Sequence, residues 1–153
     1  MTWRELKNRI YFEDGSLRDV YVLNTNEKDL ARWTELINEN YLVRFHDAKE
    51  GSTTDRISFN AVKETWSTDN RELVTATVKI VGIDINCHFY DHSELEGDID
   101  PREFRSLNDH ENLVKYLKDV SNLLGKEVIV TGENTKDWIL MRVIGDEVIL
   151  NSV

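Results

Sequence analysis

Residues Val74–Tyr90 read VTATVKIVGIDINCHFY, and in them apolar and polar side chains take turns. Successive side chains of an extended chain point to opposite faces. Val74, Ala76, Val78 and Ile80 therefore share one face, and Thr75, Thr77 and Lys79 share the other, the pattern of a half-buried strand. Gly82 turns the chain into Ile83–Tyr90, where Ile83, Ile85, Cys87 and Phe89 take the core face and Asp84, Asn86, His88 and Tyr90 the opposite one. Cys87 is thus expected as a packing residue rather than a nucleophile.

Working outward, Ile10–Glu13 and Arg18–Leu23 flank Asp14-Gly15, a dipeptide suited to the positive φ of a hairpin turn, so the chain is predicted to open on two paired strands. Asn24-Thr25-Asn26 offers side-chain caps for a helix carrying Leu30, Trp33, Leu36 and Ile37 as its apolar stripe. Tyr41–His46 reads as a strand. From Ile57 to Trp66 two periods compete: Ile57 and Phe59 alternate as in a strand, whereas Phe59, Val62 and Trp66 recur at helical spacing. An Asn108-x-x-Glu111 capping arrangement introduces an amphipathic helix from about Asp109 to Leu124, with Leu113, Leu117, Val120 and Leu124 inward and Gly125 at its end. Glu127–Thr131, Trp138–Val143 and Glu147–Leu150 are predicted as closing strands, the last two joined through Gly145-Asp146. Without regular βαβ alternation, these elements imply an α+β fold, two major helices on a largely antiparallel sheet, in a single globular domain spanning 1–153.

With 29 acidic against 19 basic residues the formal charge is −10, and such a field repels phosphate backbones and anionic headgroups. No nucleic-acid partner is expected. Arg4, Lys7 and Arg9 are interrupted by Glu5 and carry no aromatic ladder between them. The lone Cys87 has no partner for an internal bridge, and Met1-Thr2-Trp3-Arg4-Glu5 lacks a signal-peptide core, so a reducing, cytoplasmic setting is expected. No apolar run approaches the ~18 residues of a membrane span.

Asp91–Glu103, DHSELEGDIDPRE, sets six carboxylates against the single Arg102, a net −5. Glu94, Glu96, Asp98 and Asp100 alternate with Leu95, Gly97 and Ile99, which suits an irregular edge segment that buries its apolar set and hydrates its acids. Pro101 would discourage further pairing. Three uses of this segment stand open: a structural edge, a surface for a cationic protein, or a divalent cation site. For the last, the spacing matches no defined loop, since Arg102 follows Asp98-Ile99-Asp100 where a calcium loop needs oxygen and glycine. No metal and no cofactor are expected.

Catalytic signatures are sparse. Gly-rich phosphate cradles and a Gly-x-Ser-x-Gly elbow are absent from the sequence, and His110-Glu111 lacks the second histidine of a zinc helix because Val114 stands in its place. One acid-base pair remains conceivable: His88 with Asp84 or with an acid of the following segment. Asp84 lies roughly 13 Å along the strand from His88, so a hydrogen-bonded carboxylate must come from a neighbouring element. Trp33 and Trp138 are expected to pack, while Trp3 and Trp66 have no assignable face and could anchor an interface.

Ile85-Asn86-Cys87-His88-Phe89, Asp98-Ile99-Asp100-Pro101-Arg102-Glu103, Leu123-Leu124-Gly125-Lys126 and Val128-Ile129-Val130-Thr131 resemble strings found in a set of small bacterial proteins to which no activity is attached. The likeness covers roughly the C-terminal half and Leu17–Leu23. In size and charge the chain is also similar to the immunity proteins that neutralise bacterial toxins. That second resemblance implies a non-enzymatic protein with a basic protein partner, in which Glu94, Glu96, Asp98 and Asp100 stand in for phosphates. A deep pocket around His88 would favour the enzyme and a flat acidic face the binder.

Overall fold

The computed structural model describes residues 1–67 and 73–151. Among these, nine strands form one antiparallel sheet: β1 (Arg18–Leu23), β2 (Leu42–Asp47), β3 (Ser52–Thr54), β4 (Val74–Ile80), β5 (Ile83–His88), β6 (Glu94–Ile99), β7 (Val128–Gly132), β8 (Ile139–Ile144) and β9 (Glu147–Leu150). Their order is β3-β2-β4-β5-β6-β1-β7-β8-β9. Helices α1 (Trp3–Arg9), α2 (Glu27–Asn40), α3 (Phe59–Ser67) and α4 (Leu107–Leu124) contribute to one hydrophobic core with the inward side chains of the strands. The fold is α+β, and α2 and α4 are its two long helices.

Strands β4 and β5 follow the alternation residue by residue, buried and half-buried in turn. Val81 and Gly82 link them with φ of 38° and 89°, the left-handed geometry that a two-residue hairpin demands. Against their apolar face α4 lays Leu113, Leu117, Val120 and Leu124, and α2 lays Leu30, Trp33 and Ile37, all within the core. Tyr116 Oη accepts the Trp33 indole N–H at 3.1 Å, joining the two helices. Cys87 is buried there, and desolvation pushes its thiol up to about 12, so it packs and does not react.

Helix α2 starts as expected: Asn26 accepts from the Asp29 N–H at 2.8 Å, and Asp29 returns the bond at 3.2 Å. Helix α4 starts two residues ahead of the Asn108 cap read from sequence. Ser106 is its N-cap, and the Asp109 carboxylate accepts the backbone N–H groups of Arg105 and Ser106 at 2.9 and 3.1 Å. Gly125 closes it in the left-handed region at φ 64°. The ambiguous segment is α3, so the helical period of Phe59, Val62 and Trp66 prevails.

Three expectations are corrected. Ile10–Glu13 is not a strand, because the wholly buried Arg18 side chain takes its carbonyls: Nε donates to Ile10 O at 2.7 Å and Nη2 to Phe12 O at 2.6 Å, with the guanidinium 4.2 Å over the Phe12 ring. Asp91–Glu103 is not an edge loop either. Its middle is β6, paired with β5 on one side and β1 on the other. Beyond it Pro101 opens a 3-10 turn, Pro101–Glu103, as its missing N–H would favour. Trp138 also departs from expectation, since it is 50 % exposed just outside β8, its ring lying where a Cβ on Gly132 would come within 2.2 Å.

Candidate binding face

The helices cover one side of the sheet, and its other side carries the polar positions of the central strands. Register aligns them: Asn86 sits opposite Asp98 and His88 opposite Glu96, while across β1 Asp98 meets Asp19, Glu96 meets Tyr21 and Glu94 meets Leu23. Alternation along β6 thus buries Leu95, Gly97 and Ile99 and leaves Glu94, Glu96 and Asp98 half-buried on the open side. Gly97 has a steric reason to be glycine, as a Cβ there would stand 3.1 Å from Asn86 O and 3.4 Å from Ile85 Cγ2.

Most of these acids already have partners. Asp98 accepts from the His88 ring at 2.8 Å and from the Asn86 amide at 3.3 Å, and Asn86 in turn accepts from the Thr77 hydroxyl at 3.0 Å. The proton on His88 Nε2 was assigned from this contact. Hydrogen bonding to Asp98 raises the His88 pKa above its usual value, against the opposing effect of burial. Glu94 pairs with Lys136 at 3.0 Å. Asp100, just beyond the strand, accepts from both the backbone and the guanidinium of Arg102, which hold its carboxyl below the usual range. Glu96 forms no ion pair among the described residues; desolvation first, then Glu94 and Asp19, raise its pKa.

Asp84 is not the partner of His88. It pairs with Lys79 at 3.0 Å, directly opposite it on β4, so the carboxylate that meets His88 comes from β6, the neighbouring strand. Tyr90 stacks on the imidazole, ring centres 5.6 Å apart. Sequence reasoning missed Asp19, Tyr21 and Lys136. Asp19 is nearly buried beneath the β7–β8 connection, accepting from Asn134 N–H at 2.7 Å and from Tyr21 Oη at 3.0 Å, and desolvation raises its pKa. Asp19 and Tyr21 alternate with Arg18, Val20 and Val22, a signal that sets them on one face but does not say which strands flank it.

Shape bears on what this face can do. Among the described residues, cavities of about 530, 370 and 280 Å³ open, and His88 does not line these. Among the described residues no group of three or more His, Cys, Asp or Glu is arranged to hold a metal ion. No helix in them is long and apolar enough to cross a membrane. Trp66 is engaged internally, its indole donating to Phe89 O at 3.0 Å, and Trp3 stacks on Tyr11 at 5.7 Å.

No family model matches the sequence, and no curated protein matches it. Among solved structures, the chain is similar to a chain from the crystal structure of the toxic C-terminal tip of CdiA from Pseudomonas aeruginosa in complex with immune protein. The TM-score is 0.51 at 10% sequence identity, and the match covers 83% of this chain and 94% of that one. At that identity the likeness is one of fold: this α+β architecture is similar to that of a protein solved in a toxin–immune protein complex.

Proposed function

We propose that this chain is a non-enzymatic interaction protein of the immunity or inhibitor type, which docks a basic protein partner on the open face of its sheet. The observation that carries this reading is the row Glu94, Glu96 and Asp98 along a central strand, with Asp100 just beyond its end, on the side that the helices leave open. A paired central strand holds its acids at fixed spacing, so no ordering cost falls on binding. Carboxylates so fixed can occupy the phosphate-binding groups of a nuclease-like surface and speed encounter by long-range attraction. The fold likeness to a chain of a toxin–immune protein complex supports the same direction.

Its test uses the protein encoded by the neighbouring reading frame as the partner. Stopped-flow association with wild type should slow as salt rises, and the Glu94→Gln/Glu96→Gln double variant should associate several-fold more slowly with a flatter salt dependence and an unchanged fold. These two sites leave the Asp98–His88 bond and the Asp100 turn intact. Unchanged association would overturn the docking role of the row. The 2.8 Å His88–Asp98 bond favours a second reading, a small enzyme using this pair for acid-base chemistry. It ranks behind because the pair lies on a surface with no lining role in the cavities described. Loss of a substrate turnover on His88→Gln with partner binding intact would reverse that ranking.

A further inference from the structure

On the helix-covered side, a cavity of about 530 Å³ opens between α4, α1 and the edge strand β9. Leu6, Leu107, Val114, Val148 and Leu150 line it, together with one imidazole, His110. A polar border accompanies them: Glu111, Lys115, Asn122 and Asp146 are exposed, and Lys118 and Asp119 half-buried. His110 itself is more than nine-tenths buried.

The hydrogen bonding of that ring is settled by its neighbour. Tyr11 is wholly buried, and its hydroxyl lies 2.6 Å from His110 Nδ1, the sole acceptor it meets among the described residues. Tyr11 therefore donates and Nδ1 accepts. A neutral imidazole that accepts on one nitrogen carries its hydrogen on the other. Burial keeps the ring neutral, pushing its pKa down to about 4. Nε2–H has no acceptor among the described residues and is left free to donate.

We propose that this cavity binds a small neutral ligand with an apolar body and a carbonyl or ether oxygen that accepts the hydrogen bond of His110 Nε2–H. The volume lies within the range of small-molecule sites, and apolar side chains with a fixed donor among them are a usual means of orienting such a ligand. A ligand offering only donors would leave Nε2–H unmatched; a carboxylate would meet Glu111, Asp119 and Asp146, which outnumber Lys115 and Lys118 on the border. The site lies behind the sheet from the acidic row, so it stands or falls separately from the docking face.

Three probes of one size test it by methyl and imidazole NMR: acetophenone, cumene, which has its shape without the oxygen, and benzoate. Acetophenone should saturate at roughly millimolar concentration, as expected of so small a molecule. It should shift the methyl signals of Leu6, Val114 and Leu150 and the Nε2–H signal. It should bind about five- to tenfold more tightly than cumene, the range of one hydrogen bond, and more tightly than benzoate. His110→Phe should make acetophenone and cumene equal. Because that change also takes the acceptor from Tyr11, a second variant, Val114→Trp on the partly exposed flank, should fill the cavity and abolish both. Equal affinities in the wild type, tighter benzoate, a ring hydrogen found on Nδ1, or no saturation with acetophenone would overturn the proposal.

Discussion

His88 and His110 carry the same ring into opposite surroundings. On the open face Asp98 stands 2.8 Å from His88 and favours its proton, with Glu96 and Asp19 adding to the effect. Behind the sheet no carboxylate compensates His110, and burial alone lowers its pKa to about 4. The contrast extends to strands β5 and β6 as a whole. Their outward side balances charge with charge, whereas their inward side excludes charge and is specified by volume.

The largest separation between the two sides should come from removing volume. Leu117 is fully buried on the inner face of α4, and Leu117→Ala should cost ~2–5 kcal/mol through lost burial and a residual cavity. Denaturant midpoints measure it; a midpoint equal to wild type would mean that α4 does not lean on the sheet.

Acid titration should then split the histidines by sign. The folded pKa of His110, about 4, lies below its unfolded value near 6.5. Its contribution is therefore complete above the unfolded value and is lost as pH falls from there towards 4, a change of roughly 2–3 kcal/mol. Urea unfolding of wild type and His110→Phe across that window should show the slope in the first and its reduction in the second.

For His88 the direction reverses. Its folded pKa is raised, so its contribution is complete below the unfolded value near 6.5 and fades as pH rises through the folded one. Asp98→Asn should therefore cost of order 1 kcal/mol at pH 5 and less at pH 8, a hydrogen bond to a charged group being what is removed. Equal losses at both pH values would indicate that the ring does not change its charge across this window.

The smallest effect is expected at Glu96. Its carboxyl is raised by burial and by Glu94 and Asp19, so its charge is a mild burden at neutral pH. Glu96→Gln should leave stability unchanged or raise it by about 0.3 kcal/mol, a shift of roughly 1 °C in thermal unfolding. A clear loss of stability would show that Glu96 holds the sheet together and would weaken its assignment to partner binding.

The inward side was the legible one. Val74–Ile80, Ile83–His88 and the stripe Leu113, Leu117, Val120 and Leu124 declare themselves because one period runs through each and nothing interrupts it. Even β6 obeyed its alternation, and only its position was misjudged. Its net charge suggested an edge, but acids confined to one face leave the other free to be buried between two strands. Ile10–Glu13 misled for a different reason. A single buried arginine eight residues from Ile10 claims the backbone that a ladder would use, and no local pattern announces it. The pairs that define both candidate sites are likewise non-local: His88 finds Asp98 through strand register, and Tyr11 finds His110 from the opposite end of the chain.

The position of β1 governs how such a molecule is made. It is the first strand in chain order among the described residues, yet it pairs Arg18 with both Ile99 of β6 and Gly132 of β7. Strands β2 to β6 can join as they emerge, each finding its neighbours among them, and β7 to β9 form a meander of their own. Until β6 follows, β1 has two open edges, and until β7 follows it keeps one, the condition under which strands find wrong partners. Its pairing on both edges welds the two halves into one sheet, through contacts of high sequence separation that form slowly.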